Sequence, residues 1–254
     1  MISKVLKTYN KSIRASSVYD IAEVTPLTRA NTLSKSSKNN IFLKREDLQP
    51  IFSFKLRGAY NKLSKLKQKG SSSAIVAASA GNHAQGVAYS AKKLGLKSII
   101  VMPITTPLIK INAVKNFGGK VVLYGDNFDE AYEHATMLAK KEDYSFIPPY
   151  DDKDVIAGQG TIGKEILEQA DFKVNAVFVP VGGGGLLAGI GTYIKSEHPE
   201  IKVIGVEPDD AACLDLAMKN NKRLSLKEVG LFADGVAVKQ IGKLTFSLIK
   251  EWVD

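Results

Sequence analysis

The 254 residues can bury one sizeable core or two smaller ones, and 44% hydrophobic with 24% charged residues is the composition of an ordered globular chain. No apolar run reaches the roughly 18–20 residues that a membrane-spanning helix needs, and a single cysteine, Cys213, excludes an internal disulfide. The formal net charge of +9 comes from lysines scattered along the chain, with few arginines and no basic cluster interleaved with aromatics, so a solvated basic surface is expected and no nucleic-acid or membrane partner.

The lone cysteine fits a reducing compartment such as the cytoplasm, and no motif around it marks a nucleophile. Residues 1–17 are basic, carry serines and lack acidic residues, as organellar transit peptides do, but have no apolar core of a secretory signal. They run without a break into Val18-Tyr19-Asp20-Ile21-Ala22, so a folded first helix is expected. Residues 41–43 read as a short strand. From 53 to 66, apolar residues at Phe54, Leu56, Ala59, Leu63 and Leu66 fall close to one helical face. Residues 74–78 read as a strand and 82–94 as a helix entered through a Ser-Ala-Gly turn. Strand 98–102 follows, then a loop marked by Pro103 and Pro107, and a helix over 109–117 stopped by Gly118-Gly119. Residues 121–124 form the next strand and 127–141 the next helix. The stretch 146–158, with Pro148, Pro149 and several acidic residues, reads as a crossing between domains. Beyond it come helix 159–169, strand 176–181, helix 186–195 and strand 202–206. Strands alternating with helices indicate βαβ units and an α/β fold with parallel sheets. The chain has no internal repeat and no low-complexity tract.

The sharpest single feature is Val177-Phe178-Val179-Pro180-Val181-Gly182-Gly183-Gly184-Gly185-Leu186-Leu187-Ala188-Gly189, a strand, four glycines and a helix. Glycine lets the backbone approach a ligand and take positive φ, and amides at a helix N-terminus point at an anion, most often phosphate. A bare strand–helix turn does not call for four glycines, so phosphate binding is the preferred reading. Which phosphate stays open at this point. Gly183-x-Gly185-x-x-Ala188 fits the dinucleotide fingerprint, and Glu207 ends the next apolar run where a ribose-binding acid would stand, so a nicotinamide-dependent dehydrogenase is an alternative. Against it, that fingerprint usually opens its domain, whereas here several strand–helix units precede it.

Two further segments bear on the choice. Lys55 sits among Ile51, Phe52, Phe54 and Leu56 at the start of a helix. An apolar setting disfavours the charged form, which turns a lysine into an amine nucleophile able to react with an aldehyde; the bland alternative is a lysine that snorkels to water. Ala77-Ala78-Ser79-Ala80-Gly81-Asn82-His83-Ala84-Gln85-Gly86 is again a strand, a turn of small residues and a helix N-terminus. Such a turn suits a substrate carboxylate, and Asn82 supplies a neutral donor and acceptor able to meet a phenolic oxygen. His83 by itself reads more readily as structural than as catalytic.

Together these elements resemble the fold type II family of pyridoxal-phosphate enzymes, and within it the biosynthetic threonine dehydratases. The similarity runs from Ser17-Val18-Tyr19-Asp20 and Thr25-Pro26-Leu27 through residues 44–59 and 79–86, Ile156-Ala157-Gly158-Gln159-Gly160-Thr161 and residues 182–186 to Phe232-Ala233-Asp234-Gly235-Val236-Ala237-Val238. The resemblance implies two open parallel-sheet domains of the tryptophan synthase β-like architecture: a large cofactor-binding domain (1–71 and 147–254) and a small, mobile inserted one (72–146). It implies pyridoxal 5'-phosphate as cofactor, with Lys55 in Schiff-base linkage and Phe54 against the ring. Asn82 would meet the ring hydroxyl, and Gly182, Gly183, Gly184, Gly185 and Leu186 would cradle the phosphate. Ser79, Ala80, Gly81 and His83 would line the pocket for the substrate carboxylate. The implied reaction is loss of water and ammonia from L-threonine to give 2-oxobutanoate, the first step towards isoleucine, with serine as a secondary substrate. Gly81-Asn82-His83, where the synthase branches usually show threonine after the asparagine, favours elimination over replacement, and alanine at position 80 disfavours racemisation. Relatives can bind a divalent ion beside residues matching Glu207 and Ala211. The acidic partner expected two positions further on is Cys213 here, so no metal site is expected.

Measured against that family, the chain stops at Asp254 inside the catalytic domain. It would lack the Ser-Gly-rich segment that meets the pyridine nitrogen, the last strand and helices, and the isoleucine-binding regulatory domain. A fragment, a truncated non-catalytic remnant and one half of a split enzyme are the readings this leaves. Family habit also implies a homo-oligomer.

Overall fold

Apolar residues recurring every second or every third to fourth position build the alternating fold of the protein, described by a computed structural model over residues 4–70, 74–230 and 232–254. In chain order the elements are α1 (Lys4–Arg14), β1 (Leu27–Arg29), α2 (Asn31–Ser37), β2 (Phe42–Lys44), α3 (Lys55–Gln68), β3 (Ala74–Ala78), α4 (Asn82–Leu94), β4 (Lys97–Met102), α5 (Leu108–Asn116), β5 (Lys120–Leu123), α6 (Phe128–Lys141) and β6 (Ser145–Phe146). They continue with α7 (Lys153–Gln169), β7 (Ala176–Pro180), α8 (Gly185–Glu197), β8 (Lys202–Val206), α9 (Cys213–Lys219) and α10 (Lys243–Ile249).

Strands β5-β4-β3-β6 form a parallel sheet in that order, with Val76 opposite Ile99 and Val101 opposite Val122. β3 is buried at every position because helices cover both faces. Ile75, Ala77, Ile100 and Met102 pack with Leu63, Val87 and Ile111 on one side. Val76, Ala78 and Val101 meet Ala131 and Ala135 of α6 on the other. A second parallel pair, β7-β8, runs from Ala176 opposite Lys202 to Pro180 opposite Val206. Its core gathers Val179, Val181 and Val203 with Ile156, Ile162, Leu187, Ile190 and Ile194 of α7 and α8, and with Phe246 and Ile249 of α10. The α/β fold with parallel sheets is therefore as expected. The strand foreseen at 41–43 is β2, and it pairs antiparallel with β1.

Some boundaries differ for local reasons. α7 begins at Lys153 and not at 159. The Asp152 carboxylate accepts the amides of Asp154 and Val155 at 2.8 and 3.2 Å, so a helix cap stands inside the stretch read as a crossing. The first helix ends at Arg14, and Val18–Asp20 is a separate 3-10 turn, so the helix does not run on into Ala22. Met1–Ser3, and the boundary expected at residue 72, lie outside the described residues. Among the described residues no helix is long and apolar enough to cross a membrane.

Candidate active site

Lys55 opens α3, three residues after Phe52, which adopts a left-handed φ of 57°. Its Nζ donates to the Pro149 carbonyl at 2.9 Å and lies 5.5 Å from the centroid of the Phe54 ring. Burial lowers its pKa from 10.5 to about 8, with no carboxylate to hold the charge. The residue keeps a partial opening to solvent while its amine is densely surrounded, the situation of a group at the floor of a cleft. A lysine so placed is still mostly protonated at pH 7, but its neutral fraction, roughly a tenth, is far above that of an ordinary lysine, and that fraction can act as a nucleophile or base.

The N-terminus of α4 comes up beside it. A Cβ at Gly86 would stand 3.2 Å from the Lys55 backbone, so glycine there sets how closely α3 and α4 approach. The turn between β3 and α4 is held by Ser79, whose Oγ accepts the Gly81 amide at 3.1 Å. Among the described residues the amides of Asn82, His83 and Ala84 meet no acceptor, as in the first turn of any helix, and so are free to donate. Asn82 is exposed, and with Gly81, Gln85, Lys110, Asp234 and Gly235 it lines a cavity of about 240 Å³ in which Lys110 and Asp234 form an ion pair (2.6 Å). His83 is buried. Its Nε2 meets the Ile147 carbonyl at 3.0 Å, and burial plus the neighbouring Lys55 charge push its pKa down to about 3, so the ring stays neutral.

The glycine loop links β7 to α8. Gly184 has φ 87°, open to glycine without strain, and caps α8. A Cβ at Gly183 would overlap the Tyr150 ring, and one at Gly185 would lie 2.9 Å from the Tyr150 Cβ. Among the described residues the amides from Gly182 to Leu187 make no hydrogen bond, so the loop presents unpartnered donors at a helix N-terminus. Glu207 is engaged elsewhere: its carboxylate accepts the Leu214 and Asp215 amides of α9 at 2.8 and 2.9 Å. That removes the acid which the dinucleotide alternative requires. No group of three or more His, Cys, Asp or Glu side chains is placed to share a metal ion among the described residues.

One segment joins all three parts. Ile147, Pro149 and Tyr150 touch His83, Lys55 and the glycine loop respectively, so a strap of four residues contacts the α4 turn, the amine and the glycine loop in succession. The chemistry of these elements suits a phosphorylated aldehyde, with a depressed amine, free amides and a neutral carboxamide, although Asn82 lines the cavity beside Lys110 and Asp234, which Lys55 and the glycine loop do not line. Reading the sequence missed the strap, having assigned it to a crossing. Asp234 and Gly235 lay in a matched block without a role. Tyr150 carried no signal, since one aromatic beside two prolines reads as a loop.

A profile of the family described as "Pyridoxal-phosphate dependent enzyme" matches residues 18–254. The "Threonine dehydratase biosynthetic, chloroplastic" of Arabidopsis thaliana is 54% identical over 246 residues, which are 97% of this chain and 42% of that protein. The "L-threonine dehydratase biosynthetic IlvA" of Pasteurella multocida is 55% identical, over 97% of this chain and 48% of its own length. The chain therefore spans somewhat less than half of these curated relatives. Among solved structures, the processed form of threonine deaminase isoform 2 from Solanum lycopersicum superposes with a TM-score of 0.96 at 50% identity, covering 99% of this chain and 69% of that one. Maize serine racemase gives 0.91 at 28% identity, over 97% and 74%.

Proposed function

Because the chain belongs to the pyridoxal-phosphate dependent enzyme family, we propose that it is the cofactor-holding part of an enzyme that dehydrates and deaminates L-threonine to 2-oxobutanoate and ammonia, with serine as a secondary substrate. The observation that carries the proposal is the convergence of a depressed lysine amine, an unpartnered α4 turn and an unpartnered glycine loop on the strap at 147–150.

In this reading Lys55 holds the cofactor aldehyde covalently with Phe54 beside the ring, and Gly182, Gly183, Gly184, Gly185 and Leu186 offer their amides to the phosphate. Asn82 meets the ring hydroxyl. The bound cofactor supplies an electron sink for the negative charge that develops at Cα. With the cofactor bound, Lys55 would be the base beside the substrate, its lowered pKa easing loss of its own proton, and would take the Cα proton at its Nζ. Ser79, Ala80, Gly81 and His83 form the turn that orients the substrate carboxylate through backbone amides. His83, neutral at physiological pH, contributes by shape and by its hold on Ile147, not as a charge. We further propose a division into a large part (1–71 and 147–254) and a small mobile part (72–146) that closes over the substrate, bridged by the Lys110–Asp234 pair. Assembly into a homo-oligomer and a cytoplasmic location, consistent with the single thiol, belong to the same reading.

An absorption titration with pyridoxal phosphate tests it, followed by L-threonine and an assay for 2-oxobutanoate. A visible band that forms in the wild type and not in Lys55→Ala, with product, is expected. A band without product would mean a cofactor-binding remnant, and no band in folded protein would sink the assignment of Lys55.

A further inference from the structure

We infer that Thr245 is a positioning residue for the phosphate-facing amides of the glycine loop: by holding the Gly183 carbonyl inward from α10, it turns the Gly184 amide out toward the ligand. This rests on the reading of the loop as a phosphate cradle. Four successive glycines have no side chains to fix their peptide planes, and donors that must be oriented at the moment of binding lose affinity to entropy. Something outside the loop has to set them.

The Gly183 carbonyl receives two donors from the opposite side, the Thr245 hydroxyl at 2.7 Å and the Gly242 amide at 3.3 Å. A trans peptide points its carbonyl and the following N–H in opposite directions, and the described chain has no cis peptide. Tying the Gly183 carbonyl inward therefore aims the Gly184 N–H outward. The preceding peptide is held in the same sense, because the Cys213 thiol reaches the Gly182 carbonyl at 3.5 Å and so sets the Gly183 N–H. Both amides are without a partner among the described residues.

The donor is itself anchored. The Asp151 carboxylate accepts the amides of Lys243, Leu244 and Thr245 at 2.9, 2.8 and 3.1 Å, which fixes the first turn of α10. Ile249 of the same helix is buried in the core. Asp151 follows Tyr150, whose ring covers Gly183, so the strap that gathers the active site also fixes the helix that orients the loop. Thr245 is fully buried. Packing alone would be met by valine, which has the same shape, so the hydroxyl is the feature that packing does not explain.

The test compares binding of pyridoxal 5'-phosphate and of pyridoxal, the same aldehyde without its phosphate, to the full chain and its Thr245→Val and Thr245→Ser variants, with circular dichroism as a check of folding. Thr245→Val is expected to weaken the phosphorylated ligand about five- to tenfold, the loss of one net hydrogen bond, and to leave pyridoxal unchanged. Thr245→Ser, which keeps the hydroxyl, is expected to restore the wild-type ratio. Equal loss for both ligands, or loss for neither, would overturn the inference. Should Thr245→Val fail to fold, Thr245→Ala, smaller and unstrained, takes its place with the same expected outcome. A wild type that binds pyridoxal as tightly as its phosphate would instead remove the phosphate cradle itself, and the role of Thr245 with it.

Discussion

Exchanging Lys55 for methionine should stabilise the cofactor-free chain near neutral pH, at the expense of its chemistry. The amine is held at about 8 against an ordinary 10.5 by burial alone, which corresponds to ~3 kcal/mol of destabilisation while the group is charged in both folded and unfolded states. Methionine has similar length and no charge. It leaves the Pro149 carbonyl without its donor, a cost of about 1 kcal/mol, so a net gain of ~2 kcal/mol is expected at pH 7. The sign reverses with pH. Below 8 both states of the wild type are protonated and the penalty is complete. Between 8 and 10.5 the folded state has lost a proton that the unfolded state still binds, so wild-type stability rises by about 1.4 kcal/mol per pH unit, and above 10.5 it levels off. The methionine variant lacks that rise, while tyrosines with raised pKa values affect both proteins alike. Urea unfolding from pH 7 to 11, followed by circular dichroism, measures the difference. Parallel pH profiles, or a methionine variant less stable than the wild type at pH 7, would refute the reasoning.

Gly183→Ala places a methyl into the Tyr150 ring and should cost about 1–3 kcal/mol and most of the cofactor affinity, whereas Gly235→Ala, with no atom within 4 Å, should change stability by less than about 0.5 kcal/mol; thermal unfolding and a spectral titration compare them. Glu165→Gln removes the carboxylate shared by Arg57 and Lys44, leaving two enclosed cations facing Glu46, and should cost ~3–5 kcal/mol in urea unfolding. Asp152→Ala deletes the α7 cap and the partner of Lys62 and should cost about 1–2 kcal/mol. Asp152→Asn, which still accepts the helix amides, should cost less in the same measurement.

The strands and helices with full periods were legible in the sequence. β3 is a continuous apolar run, and β4 is one from Ile99 on, because helices cover both faces, and α6 begins where Asn127 announces its cap, with the Glu130 amide donating to it at 3.1 Å. The enclosure of the Lys55 amine was legible because apolar residues stand next to it in the chain. What was hidden depends on partners distant in the chain. The Pro149 carbonyl on Lys55 lies 94 residues away, and the Thr245 hydroxyl on Gly183 lies 62 residues away, on a helix of seven residues too short to show a period. The block 156–161 was read as family signature without a physical role. In the structure a Cβ at Gly158 would stand 2.6 Å from the Arg57 carbonyl, so the small residue sets how closely α7 crosses α3.

Near that crossing the charges of the segment around Lys55 pair with one another. Successive helical residues turn by about 100°, so Arg57 points away from Lys55, into the body of the protein. There Arg57 is fully buried, pairs with both Glu46 and Glu165, and donates to the Thr161 hydroxyl at 3.1 Å, while Lys44 pairs with Glu165 at 2.6 Å. Two cations and two anions cancel inside the network, which joins the end of β2, the first turn of α3 and the middle of α7. The opposite side of that same turn holds the buried Lys55 amine, whose one hydrogen bond among the described residues is to a carbonyl. A helix end that must keep an uncompensated amine there is the place where a rigid anchor on the other side is most needed, because local unfolding of that turn would let the lysine reach water. The charged residues 44, 46 and 57 therefore anchor the helix turn that carries Lys55. Weakening them should raise the Lys55 pKa toward its ordinary value before it unfolds the chain, and the pH at which the amine is modified by an aldehyde reagent would report that shift in Glu165→Gln.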